Sequence, residues 1–269
     1  MSAVLDSAFD RARTSGRAAL IGYFPAGFPT VEASKRLIDA MVRGGVDIVE
    51  IGLPYSDPLM DGPVIQRAVE DALANGVRIA DVLDVVRHVS NSGVATLVMS
   101  YWNPIERFGV ESFAQQLAAA GGVGVITPDL TPEEATPWID ATDAAGVARV
   151  FLVAPSSTPE RLKIVADATT GFVYAASLMG VTGTRTSVSA SAGQLVSRTR
   201  TVTDRPVAVG LGVSTPAQAA EIAAYADGVI VGSAFVRAVL EAPDMEAAEA
   251  AVEHLARALA EGVRNDREQ

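Results

Sequence analysis

"VDIVEIGLPYSDPLMDGP" (46–63) opens as an apolar run with the character of a strand buried on both faces, yet Glu50 stands inside that run. Asp61 follows in a loop rich in glycine and proline, between Met60 and Gly62. A charged group in a buried strand is costly by several kcal/mol unless it is paired, or else its pKa moves toward neutrality. The stretch therefore asks what fold buries a strand on both sides and still gives a carboxylate work at its end.

Runs of the same kind recur at ALIGYF (19–24), ATLVMSYW (95–102), VGVITPDL (123–130), RVFLVAP (149–155), FVYAASL (172–178), PVAVGLGV (206–213) and DGVIVGSA (227–234). None alternates between apolar and polar, so each is expected to be covered on both faces and to pair in parallel. Between them lie stretches with apolar residues at three- and four-residue spacing: 30–45, 111–122, 131–146, 158–171 and 215–228. Several open on Ser or Thr followed by Pro or a small residue and close on Gly, the usual asymmetry of helix ends. "LTPEEA" (130–135), "STPERL" (157–162) and "STPAQA" (214–219) look like one device, a threonine N-cap with proline in the first turn, and are read as helix initiation only. Eight βα units in this length predict an α/β fold, a (β/α)8 TIM barrel, in preference to an open doubly wound sheet. With no linker or composition break, a single barrel domain over 1–269 is expected, with an extra N-terminal helix and short late helices. In such barrels the active site lies where strands end and βα loops begin, which is where Glu50 and Asp61 fall.

The bulk numbers narrow the function. Of the 269 residues 49% are hydrophobic, but no window holds the roughly 18 uninterrupted apolar residues of a membrane span. The first twenty residues mix acids and bases without a signal-peptide block, and cysteine is absent, so a cytoplasmic location is expected. A net charge of −11 argues against nucleic-acid or membrane partners. An anionic substrate must then be gripped locally.

Glu50 reads either as an acid–base group with a raised pKa or as half of an ion pair with a barrel arginine. Asp61, in "PLMDGP", reads as a turn residue on its own and as a second carboxylate when set beside Glu50. "GVTGTR" (180–185), "GLGVST" (210–215) and "VGSAF" (231–235) follow the last three strands, and Ser233 is placed to open a short helix. Glycines let backbone N–H groups approach an anion, and loops after the seventh and eighth strands with a short extra helix form the recurrent phosphate site of this fold. Tyr101, Asn103 and Tyr174 either line a pocket for a flat ring or pack the barrel. Asp129 and Thr182 are expected to give supporting hydrogen bonds. His88 and His254 read as surface residues of helices, too few and too far apart for a zinc site, so no metal is expected. Lys35 and Lys163 lie in helical stretches, leaving no Schiff-base lysine at a strand end. Carboxylate acid–base chemistry is the remaining catalytic resource.

"EIGLPYSDPLMDGPVIQ" (50–66), "YFPAGFPT" (23–30), "SYWNP" (100–104), "ITPDLTPEE" (126–134), "GVTGTR", "GLGVSTPAQ" (210–218) and "VGSA" together resemble the α-subunit family of tryptophan synthase, in register from about 17 to 240. The resemblance implies a lyase of tryptophan biosynthesis that cleaves indole-3-glycerol phosphate to indole and glyceraldehyde 3-phosphate. It implies that Glu50 protonates indole C3 and takes the side-chain hydroxyl proton, while Asp61 stabilises the indole nitrogen. By the same likeness Gly183, Gly212, Gly232 and Ser233 match the phosphate site, Tyr174 a pocket residue, and Thr182 a loop residue that engages the aspartate on closure. Met99, Tyr101 and Leu211 fall in the indole pocket, Met99 and Leu211 differing from the residues common there. The likeness further implies no cofactor in this chain, a pyridoxal-phosphate β subunit as partner in an αββα assembly, an interface at "PYSDP", and a lid at 178–192. A stand-alone lyase and a non-catalytic phosphate-binding barrel are the rival readings. The second is expected to have lost Glu50 or Asp61.

Overall fold

The computed structural model describes residues 3–176, 185–210 and 212–264. In chain order they form α1 (Ala3–Thr14), β1 (Ala19–Pro25), α2 (Val31–Arg43), β2 (Ile48–Gly52), α3 (Pro63–Ala74), α4 (Ile79–Ser90), β3 (Ala95–Met99), α5 (Trp102–Phe108), α6 (Val110–Ala119), β4 (Gly124–Ile126), α7 (Thr136–Ala145), β5 (Ala148–Val150), β6 (Leu152–Val153), α8 (Pro159–Ala168), β7 (Val173–Ala176), α9 (Arg185–Arg200), β8 (Val207–Gly210), α10 (Pro216–Ala223), β9 (Gly228–Val231), α11 (Ser233–Leu240) and α12 (Met245–Gly262). Every strand pairing is parallel, in the order β5-β4-β3-β2-β1-β9-β8-β7-β6. The two ends of that sheet, β5 and β6, are one stave interrupted at Phe151. The Thr127 amide donates to the Val150 carbonyl at 3.3 Å on one side, and the Tyr174 amide to the Phe151 carbonyl at 3.2 Å on the other. The sheet thus comes round on itself as the expected (β/α)8 TIM barrel.

Burial explains the unbroken apolar runs. In β2, Val49 and Ile51 join the core between strands and helices, while Ile48 joins a second core inside the barrel with Ile21, Leu97, Ile126, Val150, Phe172 and Ile230. Side chains alternate along a strand, so Glu50 faces the interior with Ile48. Helix α1 plugs the end where the strands begin: Leu5, Ala8, Phe9 and Ala12 enter the inner core, and Phe9 meets Phe172 with ring centroids 5.6 Å apart. The other end is left to the βα loops.

Two local expectations change. Thr158 and Thr215 do cap α8 and α10, accepting from the Arg161 and Gln218 amides. Thr131 does not cap a helix, because residues 131–135 turn through Glu134 N to Thr131 O and Ala135 N to Pro132 O, and α7 begins only at Thr136. Pro137 is the reason. A helix begun at residue 132 would carry that proline in its interior, whereas α7 holds it in the first turn, where no amide is needed. The third strand ends at Met99 rather than Trp102, and Asn103 lies exposed in α5. Of the stretch expected as a lid, 185–192 opens α9, which buries Ala192, Leu195, Val196 and Thr199 at helical spacing; 178–184 lies outside the described residues.

Candidate active site

The barrel mouth gathers Glu50, Asp61, Tyr101, Tyr174 and Met99 from β2, its loop, the start of α5, β7 and the end of β3. Glu50 is 1% exposed and its Oε1 has no hydrogen-bond partner. The alternative of an ion pair with a barrel arginine fails on direction. Arg149, the buried arginine of β5, lies between the inward-facing Ala148 and Val150 and so points outward. There it bonds Asp143 at 2.5 Å, Thr142 Oγ1 at 2.8 Å and the Ala168 carbonyl at 3.2 Å. With desolvation unopposed, the Glu50 carboxyl is pushed up to about 8. A carboxyl in that range holds a proton at neutral pH and can return it.

Asp61 is built differently. The Tyr101 hydroxyl donates to its Oδ1 at 3.0 Å, and the Met60 amide donates to the same hydroxyl at 3.0 Å, so one phenol ties the loop to α5. Burial raises the Asp61 pKa above the usual carboxylate value, and the Tyr101 hydrogen bond only partly offsets it. Tyr55 packs on Tyr101 with centroids 5.5 Å apart. Asp129 accepts from the Trp102 amide at 2.9 Å, the supporting hydrogen bond expected of it. Two carboxyls in one mouth thus have unlike surroundings, the arrangement that separates acid–base from electrostatic roles.

Gly232 is the N-cap of α11 and Ser233 its first residue. The first N–H groups of a helix have no partner within it and favour an anion. Gly212 is exposed and takes the left-handed φ of +66°, which favours glycine. Thr182, Gly183 and Leu211 lie outside the described residues.

Sequence reasoning missed Tyr23. It is 6% exposed, pairs in register with Glu50, and its pKa is driven up by burial, then by Asp61 and Tyr101 and, to a smaller extent, Glu50. Tyr23, Tyr55, Tyr101 and Tyr174 are four of the chain's five tyrosines, and all stand at this mouth. The available signal was positional: Tyr23 lies as far into its strand as Glu50 does into the next. A second cleft of about 390 Å³, at the plugged end, is lined by Arg13, Arg17 and Arg200. These pair with Asp10, Asp47 and Asp227, a charge balance that suits structure rather than anion binding. Among the described residues no group of three His, Cys, Asp or Glu is placed to hold a metal, and no helix is long and apolar enough to cross a membrane. Lys35 is engaged by Glu32 and Asp84, and Lys163 by Asp167, both on helices away from the mouth.

Comparison with known proteins agrees with this architecture. The family model for the tryptophan synthase alpha chain matches residues 9–264. The chain is 61% identical over 264 residues to the tryptophan synthase alpha chain of Thermobifida fusca, covering 97% of this chain and 98% of that one. It is 59% identical to that of Mycobacteroides abscessus, with 97% of each covered. A crystal structure of tryptophan synthase from M. tuberculosis, an open form with BRD0059 bound, superposes with a TM-score of 0.89 at 52% identity over 97% of this chain and 98% of that one. A structure from Aquifex aeolicus reaches the same TM-score at 34% identity, covering 97% and 99%. A matching family model over nearly the whole length, close relatives and a common barrel leave one assignment: the chain belongs to the tryptophan synthase alpha chain family.

Proposed function

We propose that Glu50 and Asp61 carry the lyase reaction of this family, the cleavage of indole-3-glycerol phosphate to indole and glyceraldehyde 3-phosphate in tryptophan biosynthesis, within a single barrel domain. The observation that carries the reading is a buried carboxyl with a pKa of about 8, its Oε1 without a hydrogen bond, sharing a barrel mouth with a hydrogen-bonded second carboxyl. Glu50 in its acid form gives a proton to indole C3, and the ring nitrogen becomes positive. Asp61, steadied by Tyr101, faces that charge. The Glu50 carboxylate then takes the proton of the adjacent side-chain hydroxyl, the carbon–carbon bond breaks, and the electron pair returns to the ring. Indole leaves with the new C3–H bond, glyceraldehyde 3-phosphate with the new carbonyl. The phosphate is assigned to the loops of Gly183 and Gly212 and to the start of α11 at Gly232 and Ser233. The ring is assigned to a pocket lined by Met99, Tyr101, Tyr174 and Leu211, with Thr182 closing on Asp61.

The chain is read as the α partner of a pyridoxal-phosphate β subunit, in an αββα assembly in the cytoplasm. The loop after β2 presents Leu59, 76% exposed, and Met60, 40% exposed, apolar side chains suited to a protein contact. The cofactor is assigned to the partner, and neither lysine of this chain reaches its mouth.

Acid–base help is typically worth about 10²–10⁴ in rate. Glu50→Gln is therefore expected to lose indole release by at least about a hundredfold, with an unchanged far-UV spectrum. Wild-type turnover in that variant removes Glu50 from the mechanism. Measuring indole release with and without a β subunit separates the partnered enzyme from the stand-alone lyase.

A further inference from the structure

Once Glu50 has given up its proton it is a buried carboxylate, and among the described residues no cation is paired with it. The groups that face it are Tyr23 from β1, Tyr174 from β7, and Asp61 with Tyr101 from the loop and α5. Asp61 repels it, and the Tyr101 hydroxyl is spent on Asp61. Two phenols remain.

Their geometry distinguishes them. Tyr174 leans onto β8, where a Cβ added at Gly210 would meet its hydroxyl at 2.4 Å. Tyr23 leans onto Glu50's own strand. A Cβ added at Gly52 would lie 2.3 Å from the Tyr23 hydroxyl, and Gly52 is two residues past Glu50 on the same face. On the other flank a Cβ at Gly232 would meet the Tyr23 ring at 3.1 Å. Two glycines thus leave the space that lets this ring lie over β2, and the register Tyr23↔Glu50 sets the two residues side by side on adjacent strands.

We propose that Tyr23 is a positioning residue for Glu50: its hydroxyl, held over β2 by the gaps at Gly52 and Gly232, donates to the Glu50 carboxylate whenever that group is ionised. The inference rests on the acid–base role assigned to Glu50 above and adds the donor that keeps the carboxylate in place between its two proton transfers. Because the nearby acids and burial hold the phenol protonated, it remains a donor throughout the working range. A donor to the charged form favours ionisation, so its removal raises the carboxyl pKa.

The test is infrared titration of the protonated carboxyl band, assigned to Glu50 by its loss in Glu50→Gln. Tyr23→Phe is expected to move the midpoint up by about one unit, the size of one hydrogen bond to a charged group. It should move the alkaline limb of kcat/KM by the same amount and lower kcat about tenfold. Gly52→Ala, which evicts the hydroxyl without removing it, should shift the midpoint in the same direction, and Tyr174→Phe should leave it in place. An unmoved midpoint in folded Tyr23→Phe overturns the proposal, as does an equal shift in Tyr174→Phe. Retained indole release in Glu50→Gln would instead sink the catalytic reading and leave the titration result standing.

Discussion

At the scale of single residues, the site is set by what Glu50 lacks. Its burial, with Oε1 left without a hydrogen bond, gives a folded-state pKa of about 8 against 4.5 in the open chain. Between those values the native protein holds a proton that the unfolded chain has released. Stability from this group is therefore complete below about pH 4.5, falls by about 1.4 kcal/mol per pH unit through the window, and stops falling above pH 8. Glu50→Gln removes that slope. Urea unfolding of both proteins at pH 5 and pH 8 should show the variant gaining stability relative to wild type as pH rises. A constant difference would mean that Glu50 finds a counter-charge in solution. This much was legible in the sequence, since an acid inside an apolar run is conspicuous. Tyr23 was not, because tyrosine is an ordinary strand former and its letter does not reveal that two glycines, one in β2 and one just past β9, make room for it.

At the scale of elements, three similar strings have two outcomes. "STPERL" and "STPAQA" start helices, and Thr215 with Gln218 forms a full capping box. "LTPEEA" forms turns, because a second proline six residues after Thr131 displaces the helix. Thr215→Ala should cost about 1 kcal/mol in urea unfolding. Thr131→Ala should cost well under half of that, since the Thr131 hydroxyl reaches the exposed carboxylates of Glu134, at 3.3 Å, and Glu133 rather than a helix amide. Equal losses would mean that Thr131 caps after all. The strand ends were read too long for a related reason. Past Ser100, whose amide still bonds the Ile126 carbonyl, the chain leaves the sheet but stays buried at Tyr101, and burial, not pairing, is what an apolar run records. Helix α9 escaped detection because its first half is mostly Ser, Thr and Ala, and the apolar residues that bury its last turns, Ala192, Leu195 and Val196, come late.

At the scale of the molecule, the barrel separates stability from chemistry by putting them at opposite ends. Where the strands begin, α1 plugs the interior and α12 clasps α2, with Arg43 to Glu253 at 2.9 Å and Arg36 to Glu249 at 2.6 Å along the seam. Gly44 is the close point of that clasp: a Cβ there would lie 2.4 Å from the Ala256 Cβ and 2.7 Å from the Glu253 carbonyl oxygen. Its φ of −74° suits any residue, so only contact is at stake. Gly44→Ala must push α12 outward, an overpacking worth about 1–3 kcal/mol. The first βα unit and the last helix then loosen together, and the urea midpoint should fall. Because Gly44 precedes β2 at the plugged end, kcat/KM for indole release in buffer should stay at the wild-type value. Glu50→Gln makes the opposite trade, gaining stability at pH 8 while losing turnover. A Gly44→Ala protein that unfolds normally would show that the clasp has slack, and one that folds normally but loses activity would show that the two ends of the barrel are coupled.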